Sequence, residues 1–136
     1  MTGPDLTAEL VLDSGALIAL EKARPEITAL LMRVRAGEVR ILVPDAVIAQ
    51  VWRGGSGRQA RVAALLSLKK DQCARLRIDT PAAKRIGVRI GMCGHTDITD
   101  VHVALLAEEH GAGVVTSDRQ DIVKVSPALH DVIMDV

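Results

Sequence analysis

Aromatic residues are almost absent from this sequence: Trp52 stands alone, with no Phe and no Tyr among 136 residues. A core has to be packed from Val, Leu, Ile, Ala and Met, and aromatic platforms for stacking unpaired bases are excluded. Any nucleic acid would have to be held by charge. Cysteine is scarce as well, and Cys73 and Cys93 with no second pair fit reduced thiols in a cytosol better than a disulfide framework. No apolar run approaches the roughly eighteen residues of a membrane span. The amino terminus, Met1 to Glu9, carries acids where a secretory leader carries bases. A soluble, cytoplasmic protein without membrane attachment is expected.

Net charge is zero, yet it is unevenly spread. Arg53 to Arg89 holds ten Lys or Arg against Asp71 and Asp79, so the remainder of the chain is correspondingly acidic. This segregation suits a basic wall facing an acidic pocket, as a phosphodiester and its metal would need; a solvated helical face is the plainer reading of the same residues. The length fits one domain, residues 1–136, with no linker.

What is present is an alternation of short apolar runs and helical patterns. Glu9 to Asp13 reads as a buried parallel strand reaching a turn, followed by helices over Ala16 to Lys22 and, after Arg24-Pro25, over Ile27 to Val34 with Gly37 as its stop. Arg40 to Val43 is a second strand, Pro44-Asp45 opens a helix over Ala46 to Arg53, and Gly54-Gly55-Ser56-Gly57 forms a hinge-like turn before a helix from Ala60 to Leu68. A third strand is expected at Leu76 to Asp79, then a helix capped by Thr80 with Pro81 at its start, running to the Gly94 region. Thr96 to His110 is the clearest helix. Val114 to Thr116 and Val132 to Val136 complete the strands. The alternation implies an α/β, three-layer sandwich with a mostly parallel sheet, whose ligands bind beyond the carboxyl ends of the strands.

Asp13 and Asp118 follow strands at that edge, and Asp97 and Asp100 open the helix before the Val114 strand. Four converging carboxylates would repel one another and be partly protonated unless a divalent ion neutralised them, and hard oxygen donors select Mg²⁺ or Mn²⁺. Such an ion supports hydrolytic phosphoryl transfer without a side-chain nucleophile. Each acid also has a plain reading. Asp97 serves as an N-cap with Asp100 at its third position, Asp118 as a turn residue and Asp13 as an Asx-turn.

In order and spacing these segments resemble the PIN domain over nearly the whole chain, and specifically the ribonuclease toxins of VapBC-like toxin-antitoxin modules. The resemblance rests on Asp13-Ser14 after the first strand, the proline-led VPDAVIAQVWRGG segment, Asp100 before Val101-His102-Val103-Ala104, and Thr116-Ser117-Asp118. It implies a metal-dependent endoribonuclease using Asp13, Asp100 and Asp118, with Asp97 auxiliary, together with an RNA substrate, a homodimer and an antitoxin partner. Gln50, expected to complete the site, departs from the pattern, standing where the family has Glu. Three readings follow: activity with Asp97 compensating, an impaired PIN module that only binds RNA or protein, or a substituted sequence. By the same analogy Arg53, Arg58 and Arg61 would steer RNA phosphates.

Other motifs carry less. His95, His102, His110 and His130 lack HExxH spacing, and Cys93-Gly94-His95 with His102 is only a loose zinc constellation. The Gly54 turn lacks the Lys-Ser/Thr of a phosphate-cradling loop. Trp52 reads first as a half-buried anchor and second as a grip on a partner.

Overall fold

The structure, a computed structural model, describes residues 8–55 and 59–136. In chain order the elements are β1 (Ala8–Leu12), α1 (Ser14–Glu21), α2 (Pro25–Arg35), β2 (Val39–Pro44), α3 (Asp45–Val51), α4 (Ala60–Leu66) and β3 (Cys73–Leu76). They continue as α5 (Thr80–Cys93), α6 (Ile98–His110), β4 (Gly113–Thr116), α7 (Arg119–Val125), a 3₁₀ turn (Pro127–Val132) and β5 (Ile133–Asp135).

The five strands form one sheet in the order β3-β2-β1-β4-β5, and every neighbouring pair is parallel. From β1 the chain winds outward through β2 to β3, crosses back to β4 and winds outward again to β5. Right-handed crossovers in opposite directions put their helices on opposite faces. The packing agrees: α1 touches α2, α3 and α4, whereas α5, α6 and α7 touch one another. The sequence of strands therefore reverses between β1 and β4, and at such a switch point the loops part to leave a crevice.

The middle of the sheet is apolar on both faces, as parallel strands covered by helices require. Val11, Ile41, Leu42, Val43, Val114 and Val115 have no exposed surface. Residues 101 to 107 of α6 are all buried, so this helix is apolar around most of its circumference and lies as a central rod between α5 and α7. Trp52, in contrast, is 43% exposed and is not part of this core.

Three expectations shift. The third strand lies at Cys73–Leu76 rather than Leu76–Asp79. Pairing with Ile41 to Pro44 fixes its register, which buries Cys73 and Ala74 and leaves Ile78 partly exposed. Asp79, not Thr80, caps α5, its Oδ1 accepting from the Ala82 amide at 2.9 Å. The stretch after Asp118, expected to carry no element before Val132, forms α7 and the 3₁₀ turn. Its signal was an acidic cap at Asp118, Asp121 three residues on, and the buried pair Ile122 and Val125.

His102 lies inside this packing, 3% exposed, and its Nδ1 has no hydrogen-bond partner among the described residues. Burial pushes its pKa below the ordinary histidine value; Glu109, Asp45 and Asp79 oppose that shift, and Arg85 reinforces it. The folded imidazole stays neutral while the unfolded one takes up a proton below about pH 6.5. The stability contributed by keeping it neutral is present above that value and is lost as pH falls toward the depressed folded pKa. Urea midpoints measured from about pH 7.5 down to 5.5 should fall for the native protein and fall distinctly less for His102→Leu, which also removes the unpartnered nitrogen.

Candidate active site

At the switch point the carboxyl ends of β1 and β4 are tied together by one hydroxyl. Asp13 follows β1, extends the ladder by donating its amide to the Val115 carbonyl at 3.1 Å, and is 6% exposed. Its Oδ1 accepts from the Ala16 amide at 3.0 Å, capping α1. Its Oδ2 accepts from the Thr116 hydroxyl, and the Thr116 Oγ1 in turn accepts from the Asp118 amide at 2.8 Å. Burial pushes the Asp13 carboxyl above the usual range, its hydrogen bonds to Thr116 and Ala16 oppose this, and the charge of Asp100 pushes it further up. Any side chain at Gly15 would collide with that of Ser117, so the start of α1 can approach the end of β4 only as glycine.

Two more helix starts bring their acids to the same place. Asp97 caps α6 by accepting from the Asp100 amide at 3.0 Å, which puts Asp100 at the third helical position. The Asp100 Oδ2 lies 2.8 Å from the His95 Nε2. Burial pushes the Asp100 carboxyl up; the His95 hydrogen bond works against it, and the charges of Asp97 and Asp118 add to it. Asp118 caps α7, accepting from the Asp121 amide at 3.4 Å. The Asp121 carboxyl is pushed up first by its hydrogen bond with Asp118, then by burial, and then by the charges of Asp118 and Asp100.

Asp13, Asp100 and Asp118 thus act on one another electrostatically, through Asp100 in the middle, and Asp97 acts on Asp100. His95, Asp100 and Asp121 go further: one donor atom from each lies within 4.8 Å of the others. Sequence reasoning missed Asp121 altogether, although its place in the first turn of a capped helix was readable. His95 was weighed only as part of a zinc constellation with Cys93 and His102, and that constellation does not assemble. His102 is enclosed in the core, and the only group of three such donors among the described residues is the His95 one.

The remaining expected residues have other surroundings. Gln50 is exposed in the last turn of α3, and among the described residues no hydrogen bond joins it to the acids. Arg53 turns its guanidinium back onto the Ala49 and Trp52 carbonyls, at 3.3 and 2.9 Å. Arg61 reaches Glu21, with which it pairs at 3.8 Å. Arg58 falls outside the described residues, as do Ser56 and Gly57 of the glycine-rich turn.

Carboxylates whose pKa values are raised by burial (Asp13, Asp100) or by a shared hydrogen bond (Asp121), with acidic neighbours adding to each shift and one imidazole among them, form a donor set that suits a hard or borderline divalent cation. The chain matches the model of the PIN domain over residues 10–126, and no curated protein matches it. PIN domains carry a nuclease fold, commonly that of a ribonuclease, and are typically metal-dependent. No described helix is long and apolar enough to cross a membrane.

Thr116→Val keeps the shape of the side chain and removes the hydroxyl, leaving a buried carboxylate oxygen of Asp13 without its donor. A loss of about 1–3 kcal/mol in urea unfolding at neutral pH is expected. Because a carboxyl with a raised folded pKa is most costly when ionised, this deficit should shrink on acidification as Asp13 takes up a proton. A deficit independent of pH would show that the hydroxyl acts through the Asp118 amide it accepts from rather than through Asp13.

Proposed function

This chain belongs to the PIN domain family, and on that basis we propose that it is a metal-dependent endoribonuclease in which Asp13, Asp100 and Asp118 hold a divalent ion. The observation that carries the reading is the pair of buried or half-buried carboxylates Asp13 and Asp100, whose pKa values are raised first by burial and further by acidic neighbours, Asp118 among those of Asp100, a cost that a bound cation would relieve. Asp97, through its action on Asp100, is the auxiliary acid. Asp121 and His95 join the donor set.

When bound, such an ion lowers the pKa of a coordinated water and stabilises charge on the leaving oxygen of a phosphodiester. The chain's own residues contribute rigidity. Thr116 and the Ala16 amide fix both oxygens of Asp13, whose further lone pairs stay available. His95 orients the Asp100 carboxylate, and its nitrogen favours Mn²⁺ or another borderline ion over Mg²⁺, which prefers an all-oxygen shell. Gln50, a neutral residue on α3, contributes at most a carbonyl oxygen. The toxin role, the homodimer and the antitoxin partner extend this reading from the family resemblance.

The alternative, a PIN module that binds RNA or protein without cutting, draws on Gln50 and on the scarcity of stacking aromatics. Calorimetric titration with Mn²⁺ and cleavage of single-stranded RNA separate the two. Native protein should bind Mn²⁺ and cut RNA in its presence, chelator should stop cutting, and Asp100→Asn should weaken Mn²⁺ by about tenfold or more. Gln50→Glu should raise activity only modestly. RNA binding that ignores chelator, with cutting absent until Gln50→Glu creates it, would establish the impaired module instead.

A further inference from the structure

On the α1 side of the acids lies a cavity of about 200 Å³, lined among others by Gly15, Lys22, Arg24 and Ser117. Its position follows from the chain: Gly15 comes two residues after Asp13, and Ser117 immediately precedes Asp118. One end of the cavity is thus formed by the neighbours of Asp13 and Asp118, while Lys22 and Arg24 line it further along α1 and the turn that follows. Gly15 lets Ser117 pack against the start of α1, since a β-carbon there would occupy the place of the Ser117 side chain.

The two cations sit on either side of Ala23, the one non-glycine residue among the described residues with a left-handed backbone, φ 54°. That conformation is sterically disfavoured for a residue with a β-carbon. Two backbone hydrogen bonds hold the turn closed, from the Ala23 amide to Leu20 at 2.9 Å and from the Arg24 amide to Ala19 at 3.0 Å. The turn thus brings Lys22 and Arg24 to one cavity, and strained backbone of this kind collects where side-chain placement matters. Both are exposed, and among the described residues neither lies within ion-pair distance of a carboxylate. Glu21 beside them is turned toward Arg61.

Resting on the ribonuclease reading, we propose that Lys22, Arg24 and the Ser117 hydroxyl form a subsite for the phosphodiester adjacent to the one placed at the acids. A free anion beside so many carboxylates would be repelled. An anion covalently continuous with one already held at a neutralised acid cluster would not, and consecutive phosphates of a single nucleic-acid strand meet that condition. With no aromatic in its lining, the subsite grips by charge and tolerates any base. Lys22 and Arg24 line this cavity, whereas Arg53 turns to backbone carbonyls and Arg61 to Glu21.

The test is the salt dependence of binding of a short fluorescent single-stranded RNA, followed by anisotropy with Ca²⁺ in place of Mn²⁺. Lys22→Gln/Arg24→Gln should flatten the slope of log affinity against log salt by about 0.7 for each lost contact. The same change at Lys69 and Lys70, exposed cations at the far edge of the sheet, should leave the slope as it is, and Lys22→Arg/Arg24→Lys should restore it. Equal urea midpoints check that the variants fold. An unchanged slope for the Lys22/Arg24 variant, or an equal fall for the Lys69/Lys70 variant, overturns the subsite in favour of diffuse surface charge. Native protein that binds this RNA through the pair but never cuts it with Mn²⁺ would refute the ribonuclease reading and leave the subsite standing. Native protein that binds Mn²⁺ but no RNA at any salt would refute both.

Discussion

The Thr116 hydroxyl donates to Asp13 and accepts from the Asp118 amide, and the arrangement of the acids depends on that one buried group. It sits where the strand order reverses, so the helices following β1 and β4 leave toward opposite faces. Left unpaired, three buried polar functions there would each be costly. Paired through a single oxygen, they set the distance between the two strand ends and the direction in which Asp13 presents its carboxylate.

Capping and site-building turn out to be one task for these residues. Asp13, Asp97 and Asp118 each cap a helix, and Asp100 and Asp121 each sit at the third position of a helix so capped. The helix starts offer amides and a partial positive charge, which lets acids gather more closely than bare carboxylates would. Those contributions do not cancel the opposing effects: burial, the Asp118–Asp121 hydrogen bond and neighbouring acidic charge still hold the carboxyls of Asp13, Asp100 and Asp121 above their usual range. The plain reading of each acid and the chemical one are therefore both true of the same side chain.

An aliphatic core has a parallel consequence for substrate handling. With Trp52 as the single aromatic, and exposed at the end of α3, recognition of a strand, on the proposed ribonuclease reading, would fall to cations whose placement is set by backbone. Many arginines that look available in the sequence are committed in the fold. Arg40 pairs with Glu9, Arg85 with Glu109, Arg89 with Glu108 and Arg119 with Asp135. Within the basic segment Arg53 to Arg89, Arg61, Arg85 and Arg89 serve as struts between elements.

The sequence by itself determined the α/β alternation, the parallel sheet and the placing of Asp13 and Asp118 at strand ends and of Asp100 in the first turn of a helix, because apolar runs ending in Asp and capped helical patterns are local signals. It also carried the family. What it could not carry were relations between distant segments: the register that moved the third strand to Cys73–Leu76, the burial of His102 away from Cys93, the commitment of Arg61 to Glu21, and the meeting of His95 with Asp121. Those were decided only when the crossovers brought the carboxyl ends of β1 and β4 side by side, since charge and hydrogen-bond partners depend on distance in space and not along the chain.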